Sequence, residues 1–274
     1  LNNSATTGTL LLGGNSTYTG DTTISAGTLK LTGNLNSATD LVIAPSATLD
    51  LQAALTAATL DLDGTISNTA GTSSLIISGT ANLGGSITTT GTQTYNNAVT
   101  LTGDTTLATS SAQVTFAANA TINSEGSETN NLTITASETE LNGVIGYTRT
   151  LGLIDINGNL DLNAAITNAT SMDVSGTANL GANVTTSGNQ TYTGAVTLSG
   201  ADRTLQGSTI NFGTTLAGGS NALIISANLD LDGAATGLTT LLVSDTSNLG
   251  ANVTTTSTQT YQGAVTVSAD ITLT

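Results

Sequence analysis

One seven-residue phrase occurs three times in this chain, at unequal intervals. Ser78-Gly-Thr-Ala-Asn-Leu-Gly84 returns unchanged at Ser175–Gly181, and at Ser244–Gly250 it reads Ser-Asp-Thr-Ser-Asn-Leu-Gly. At a constant offset after each central asparagine (Asn82, Asn179 and Asn248) a Gln-Thr-Tyr block opens, at Gln93, Gln190 and Gln259. Repetition of this fidelity specifies a linear array of stacked units. The interval from Asn82 to Asn179 is 97, whereas that from Asn179 to Asn248 is 69. Aligning Phe116 with Phe212, and Leu153-Ile154 with Ala222-Leu223, places the excess between Phe116 and Leu153. A sandwich does not readily absorb that much strand-forming sequence, but a solenoid simply gains a coil. Dividing the shorter interval into three coils gives about 23 residues per coil, and the insertion adds about one more coil. About a dozen coils at the strand spacing make a rod of roughly 55–60 Å.

The local pattern agrees. Apolar residues come in alternating triplets such as Leu29-Lys-Leu31, Leu49-Asp-Leu51, Leu60-Asp-Leu62, Leu160-Asp-Leu162 and Leu229-Asp-Leu231. Such a triplet puts two apolar side chains on one face of a strand and the polar one on the other. Gly, Asn, Ser and Asp fill the intervals, with Asn142-Gly143 and Asn157-Gly158 as strong turn dipeptides. Aromatics are 3% of the chain, which suits an interior too narrow for many rings. Asn and Thr at the turns are expected to form side-chain ladders along the axis. The expected fold is all-β, a right-handed parallel β-solenoid (β-helix). Residues 1–274 form one solenoid segment, with long repeats over 59–274 and the extra coil within 117–152. The chain opens at Leu1 and stops at Thr274 in mid-motif, so it is expected to be a fragment of a longer repeat protein.

Charge and missing residue types exclude several chemistries. Eighteen acids stand against Lys30, Arg149 and Arg203, for a net charge of −15, which disfavours phosphate backbones, so no nucleic-acid partner is expected. No apolar run approaches a transmembrane helix. Without Cys or His, Cys-based zinc sites, thiol catalysis and the usual Ser/His/Asp triad are excluded. No catalytic, cofactor-binding or metal residue is assigned, and no cofactor is expected. The one ion weighed is Ca²⁺, which paired oxygens at Asp61/Asp63 and Asp230/Asp232, with Asp161-Leu-Asn163 as a relative, would suit; solvent-facing strand ends account for the same residues. Glu125, Glu128, Glu138 and Glu140, the only glutamates, lie inside the insertion with Tyr147 and Arg149 just after it. They are either a binding face or the solvated surface of an added coil. Asn-x-Thr/Ser sequons at Asn119, Asn131, Asn183 and Asn252 are expected by chance in this composition. The Thr-x-Thr triplets Thr88–Thr90 and Thr133–Thr135 read as outward strand positions rather than an ice-binding array.

Gly8–Leu29 resembles the autotransporter-associated β-strand repeat, approximately G-T-L-x-L-x-G-x-N-x-Y-x-G-x-T-x-I-x-x-G-T-L, and the repeat region is set at 8–33. From about Leu60 onward, the Gln-Thr-Tyr-x-Gly-Ala-Val-Thr-Leu blocks resemble repeats of filamentous-haemagglutinin-like surface proteins. Asn97 replaces the glycine in the first block, and Ser268-Ala269 changes the turn in the last. The resemblance implies a passenger or exoprotein stalk, exported from a Gram-negative cell by a type V route and displayed outside it. It carries over no catalytic residue. The expected role is a non-catalytic structural and adhesive rod, acting as stalk and interaction surface. The alternative is a self-assembling subunit of an extracellular filament or sheath, and a polysaccharide-active β-helix enzyme fits less well. Expected partners are other copies or flanking repeats, joined by coil stacking, and a host-cell, matrix or neighbouring-cell surface.

Overall fold

The computed structural model describes residues 8–274. Within them the chain forms short strands and no helix, and every strand pairing is parallel. The chain winds around three faces in a fixed order. The first face begins with Thr22–Ile24, Asp40–Ile43 and Thr59–Leu62, the second with Thr9–Leu12, Thr28–Leu31 and Thr48–Leu51, and the third with Ala54–Ala57, Ser74–Ile77 and Gln93–Tyr95. Five longer strands turn a corner and serve two faces each: Leu132–Leu141, Leu151–Leu162, Ile166–Val174, Arg203–Phe212 and Leu223–Leu231. The result is a β-solenoid of about 14 turns, two more than the sequence suggested. At about 4.8 Å per turn its length is roughly 60–65 Å.

The expected coil length, about 23 residues, was too long. Thr9 pairs with Thr28, Leu49 with Ile66 and Asn179 with Thr197, so most coils are shorter by several positions. The longest step runs from Thr105 to Leu132. The interval between Asn179 and Asn248 is not a whole number of coils. Asn82 lies on the first face, Asn179 on the third and Asn248 on the second, so that interval makes three and two-thirds turns. From Phe116 the chain makes five face-to-face steps to Ile154, whereas Phe212 reaches Leu223 in two. The difference of three steps is one full coil.

Each phrase is therefore the middle rung of a cassette that recurs on a different face. On the first face Asp61, Asn82 and Thr100 stack in successive coils. On the third face the column is Asp161, Asn179 and Thr197, and on the second it is Asp230, Asn248 and Thr266. The leucines that flank each aspartate point inward: Leu60 and Leu62, Leu160 and Leu162, and Leu229 and Leu231. The three faces are similar enough in curvature to accept the same sequence.

The interior is a continuous column of Leu, Ile, Val and Ala, all but removed from solvent. Aromatic rings enter it in register. Tyr95 and Phe116, partners in adjacent coils, stack with centroids 4.9 Å apart, and Tyr192 and Phe212 do so at 5.5 Å, both with planes 15° apart. Parallel stacking of this kind follows from the strand spacing and adds to the area the rings bury. Corners are tight enough to require glycine: a Cβ on Gly85 would overlap the Gly64 carbonyl one coil below. Gly158, with φ of 148°, bends Leu151–Leu162 around a corner, so Asn157-Gly158 is a bend within one strand rather than a break between two.

Polar groups tie the corners together along the axis. The expected side-chain ladders are present in part: Asn163 donates its Nδ2 to Oδ1 of Asn142, and the Thr177 and Thr246 hydroxyls donate to Asn159 and Asn228. More often a corner Asn or Asp oxygen accepts a backbone N–H from the next coil. Asp104 does this for Asn131, Asn131 for Leu153, Asn183 for Thr204, Asp202 for Ala222 and Asn252 for Thr272. Three of the sequon asparagines are thus positioned as inter-coil staples, satisfying N–H groups that the strand ladder leaves unpaired at a corner.

Candidate functional site

The outward surface is mostly Thr, Asn, Ser and Asp, and the residues singled out in the sequence are spread around it. Asp61 and Asp63 are both exposed on the first face. Asp161 accepts the Asn179 amide at Oδ1, 2.8 Å, and the Asn163 amide at Oδ2, 3.2 Å. Asp230 accepts from Asn248 at 2.8 Å and from Asn211 at 2.9 Å. The oxygens of Asp161 and Asp230 are engaged by neighbouring side chains. Among the described residues no three acidic groups converge. Thr133 and Thr135 both lie on the second face, while Thr88 lies near its end and Thr90 at the corner with the third, so the threonines do not form one flat array.

The four glutamates do not form a single face. Glu138 and Glu140 lie in the strand Leu132–Leu141 on the third face, and Glu140 Oε2 accepts from Gln113 Nε2 at 3.2 Å and from the Thr115 hydroxyl at 3.4 Å. Glu125 and Glu128 lie at the corner between the first and second faces. There the chain leaves Ile122–Ser124 and takes a wide loop before re-entering at Leu132, which accounts for the long step from Thr105 to Leu132. One coil further on, residues 146–150 bulge at the same corner.

These two bulges face each other across an open cleft of about 180 Å³, lined by Glu128, Thr129, Thr148, Arg149 and Thr150 among others. Its base is held by specific bonds. Asn123 Oδ1 accepts the backbone N–H groups of Thr148 at 2.9 Å and Arg149 at 3.1 Å. Asn130 is buried; its N–H donates to the Ser124 hydroxyl at 3.0 Å, and its Nδ2 donates to the Leu101 carbonyl at 2.8 Å and to Glu128 Oε2 at 3.1 Å. Gly126 and Gly146 take φ of 51° and 71°, conformations that let both loops turn sharply. Tyr147, the residue before cleft-lining Thr148 in the chain, has 71% of its surface exposed. A second, larger groove of about 480 Å³ lies over Asp230, Asn248 and Thr266, alongside the last described coil.

Arg203 is a residue whose role the sequence concealed. It takes an inward position, 7% exposed. Its Nε donates to the Leu180 carbonyl at 2.9 Å, Nη1 to the Asp202 carbonyl at 2.7 Å, and Nη2 to the Ser199 carbonyl. Burial pulls its pKa below the ordinary arginine value, and neighbouring Asp202 opposes that pull. The glutamines of the repeated blocks are equally structural. Gln93 and Gln190 point inward and are fully buried. Gln190 Nε2 donates to the Gln206 carbonyl of the next coil at 2.8 Å and to the Thr186 hydroxyl at 3.3 Å, while its Oε1 accepts the Tyr192 hydroxyl at 3.1 Å. The spacing Gln-x-Tyr signals that arrangement, because residues two apart on a strand share a face.

The solenoid also explains the segment at the start of the chain. Gly8-Thr9-Leu10 recurs as Gly27-Thr28-Leu29, and Thr9 pairs with Thr28 and Leu10 with Leu29, so the motif is one coil. Gly27 has φ of 71° at the corner, and the Tyr18 hydroxyl is 2.6 Å from that of Thr22. No curated protein and no solved structure matches the chain. Residues 7–31 match the family described as the passenger-associated-transport-repeat, a repeat of autotransporter passengers, and the coil formed by residues 8–31 continues into the parallel β-solenoid.

Proposed function

We propose that the chain is a structural and adhesive rod of an exported bacterial surface protein, holding an interaction surface away from the cell and performing no catalysis. The observation that carries this reading is the unbroken stacking of parallel ladders around one apolar column. Force along the axis or bending across it loads the ladders together with the staples between coils, which is what a stalk requires. The passenger repeat at 7–31 supports export and display at a Gram-negative surface. The arrangement of the repeats supports a non-enzymatic role. What recurs with highest fidelity, Asp61/Asn82/Thr100 and its two counterparts, is a stacking unit directed to three sides of the rod, not a set of groups converging on a substrate. In this reading no cofactor is needed, and partners are flanking coils and an external surface.

The test is how the full-length protein on cells tolerates coil deletions. Deleting Ala178–Ala195, one complete coil between register partners Ala178 and Val196, should leave export and display intact. Deleting only Ala178–Thr186, half a coil, should abolish the folded, protease-resistant segment, because it shifts every later strand off its face. Equal tolerance of both deletions would contradict the reading.

A further inference from the structure

The cleft between residues 125–130 and 146–150 differs in chemistry from the rest of the rod. We propose that it is a binding site for one neutral hexose unit of a glycan. The proposal rests on the adhesive-rod reading and gives that rod a specific contact.

Three observations point to a sugar. First, Tyr147 holds its ring in solvent at a loop position, 71% exposed, whereas the rings of Tyr95, Tyr192, Phe116 and Phe212 are fully buried. An exposed ring one residue before cleft-lining Thr148 offers a flat apolar face, which the C–H face of a pyranose held there can cover. Second, the walls combine planar and hydroxyl groups suited to vicinal diols. The Arg149 guanidinium supplies donors in a fixed fork, Glu128 supplies carboxylate acceptors, and Thr129, Thr148 and Thr150 can do either. Third, the cleft is preorganised. Asn123 pins Thr148 and Arg149, and buried Asn130 holds Glu128, so binding does not have to order either loop.

Size and charge narrow the class. About 180 Å³ lies below the usual range for drug-sized ligands, about 300–1,000 Å³, and suits one monosaccharide. Arg149 and Glu128 line the same cleft, with Glu125 nearby, in a chain of net charge −15. An anionic sugar would meet repulsion that the single guanidinium does not offset, whereas a neutral sugar uses both charged groups as hydrogen-bonding partners.

The experiment is saturation-transfer NMR on the full chain. The probes are glucose, galactose, mannose, N-acetylglucosamine and N-acetylgalactosamine, with sialic acid and glucuronic acid as charged comparisons. At least one neutral sugar should bind saturably with a dissociation constant of about 1 mM, an affinity in keeping with an open cleft. Tyr147→Ala and Arg149→Gln should each weaken it at least tenfold while leaving the melting temperature unchanged. Should Arg149→Gln lower the melting temperature, the exposed Tyr147→Ala decides. Absence of saturable binding to every neutral sugar, preference for the charged sugars, or full affinity in Tyr147→Ala would overturn the proposal. A chain that tolerates the one-coil deletion yet binds no sugar would remove this site and leave the rod.

Discussion

Asn179 stands one coil beyond Asp161 on the third face and donates its Nδ2 to Oδ1 of that aspartate at 2.8 Å. Asn248 stands in the same relation to Asp230 on the second face, also at 2.8 Å. One sequence phrase thus makes one bond in two orientations around the axis. Asp161 and Asp230, which look like ligands in one dimension, are the lower rungs of a ladder. Melting the chain in calcium and again in chelator should accordingly give the same midpoint. A rise of several degrees in calcium would show that Asp230 or Asp61 holds the ion.

The buried glutamine at the head of each of the first two blocks bridges two coils. Replacing Gln190 by Ala leaves the buried Tyr192 hydroxyl without its acceptor, and the Gln206 carbonyl keeps only the longer bond from the Thr186 hydroxyl, at 3.4 Å. An orphaned buried polar group costs about 1–3 kcal/mol, so urea unfolding of Gln190→Ala should show a loss of about 1–3 kcal/mol. Thr191→Ala, at the outward position beside it, should lose less than about 0.5 kcal/mol.

Arg203 satisfies three carbonyls, those of Leu180, Ser199 and Asp202. Lysine cannot reproduce a planar fork of donors. Arg203→Lys and Arg203→Ala should therefore both destabilise, by about 2–3 kcal/mol in chemical denaturation. Lys30→Ala, outward on the second face, should be near neutral.

Burial pushes the phenols of Tyr95, Tyr192 and Tyr261 above the ordinary tyrosine value, furthest for the first two. The folded state then favours the neutral ring. Stability from this source is complete below the unfolded pKa of about 10 and falls as pH rises above it, by about 1.4 kcal/mol per pH unit for each of the fully buried rings, Tyr95 and Tyr192. Absorbance of tyrosinate from Tyr95 and Tyr192 should appear only together with unfolding. In the double variant Tyr95→Phe, Tyr192→Phe that cooperative component should vanish.

The strands were legible because a two-residue period is a local signal: Leu29 and Leu31, Leu49 and Leu51, and Leu160 and Leu162 are all buried in strands. The outcome at Asp50 shows the limit of the pattern. The side chain sits in the polar place of its triplet yet is buried, accepting from the Thr69 N–H and hydroxyl and from Gln52, because a neighbouring turn folds over it. The added coil was legible from the inequality of the two intervals, whose sequence-aligned ends confine the excess to one stretch. The coil length was not, because the sequence does not show that Asn179 and Asn248 lie on different faces. The candidate cleft was half legible. Sequence position gathered Glu125, Glu128, Tyr147 and Arg149, but only the winding separates them from Glu138 and Glu140 and stacks residues 125–130 against 146–150.

In a solenoid, rungs on one face lie on a line. Thr106, Thr191 and Thr266 all face outward from the second face, each four rungs from the next. The chain has no native cysteine, so Cys substitutions at these positions accept spin labels cleanly. Pulsed electron-electron double resonance should give about 19 Å for Thr106–Thr191, about 19 Å for Thr191–Thr266 and about 38 Å for Thr106–Thr266, at about 4.8 Å per rung. A Thr106–Thr266 distance well short of the sum of the other two would contradict the solenoid.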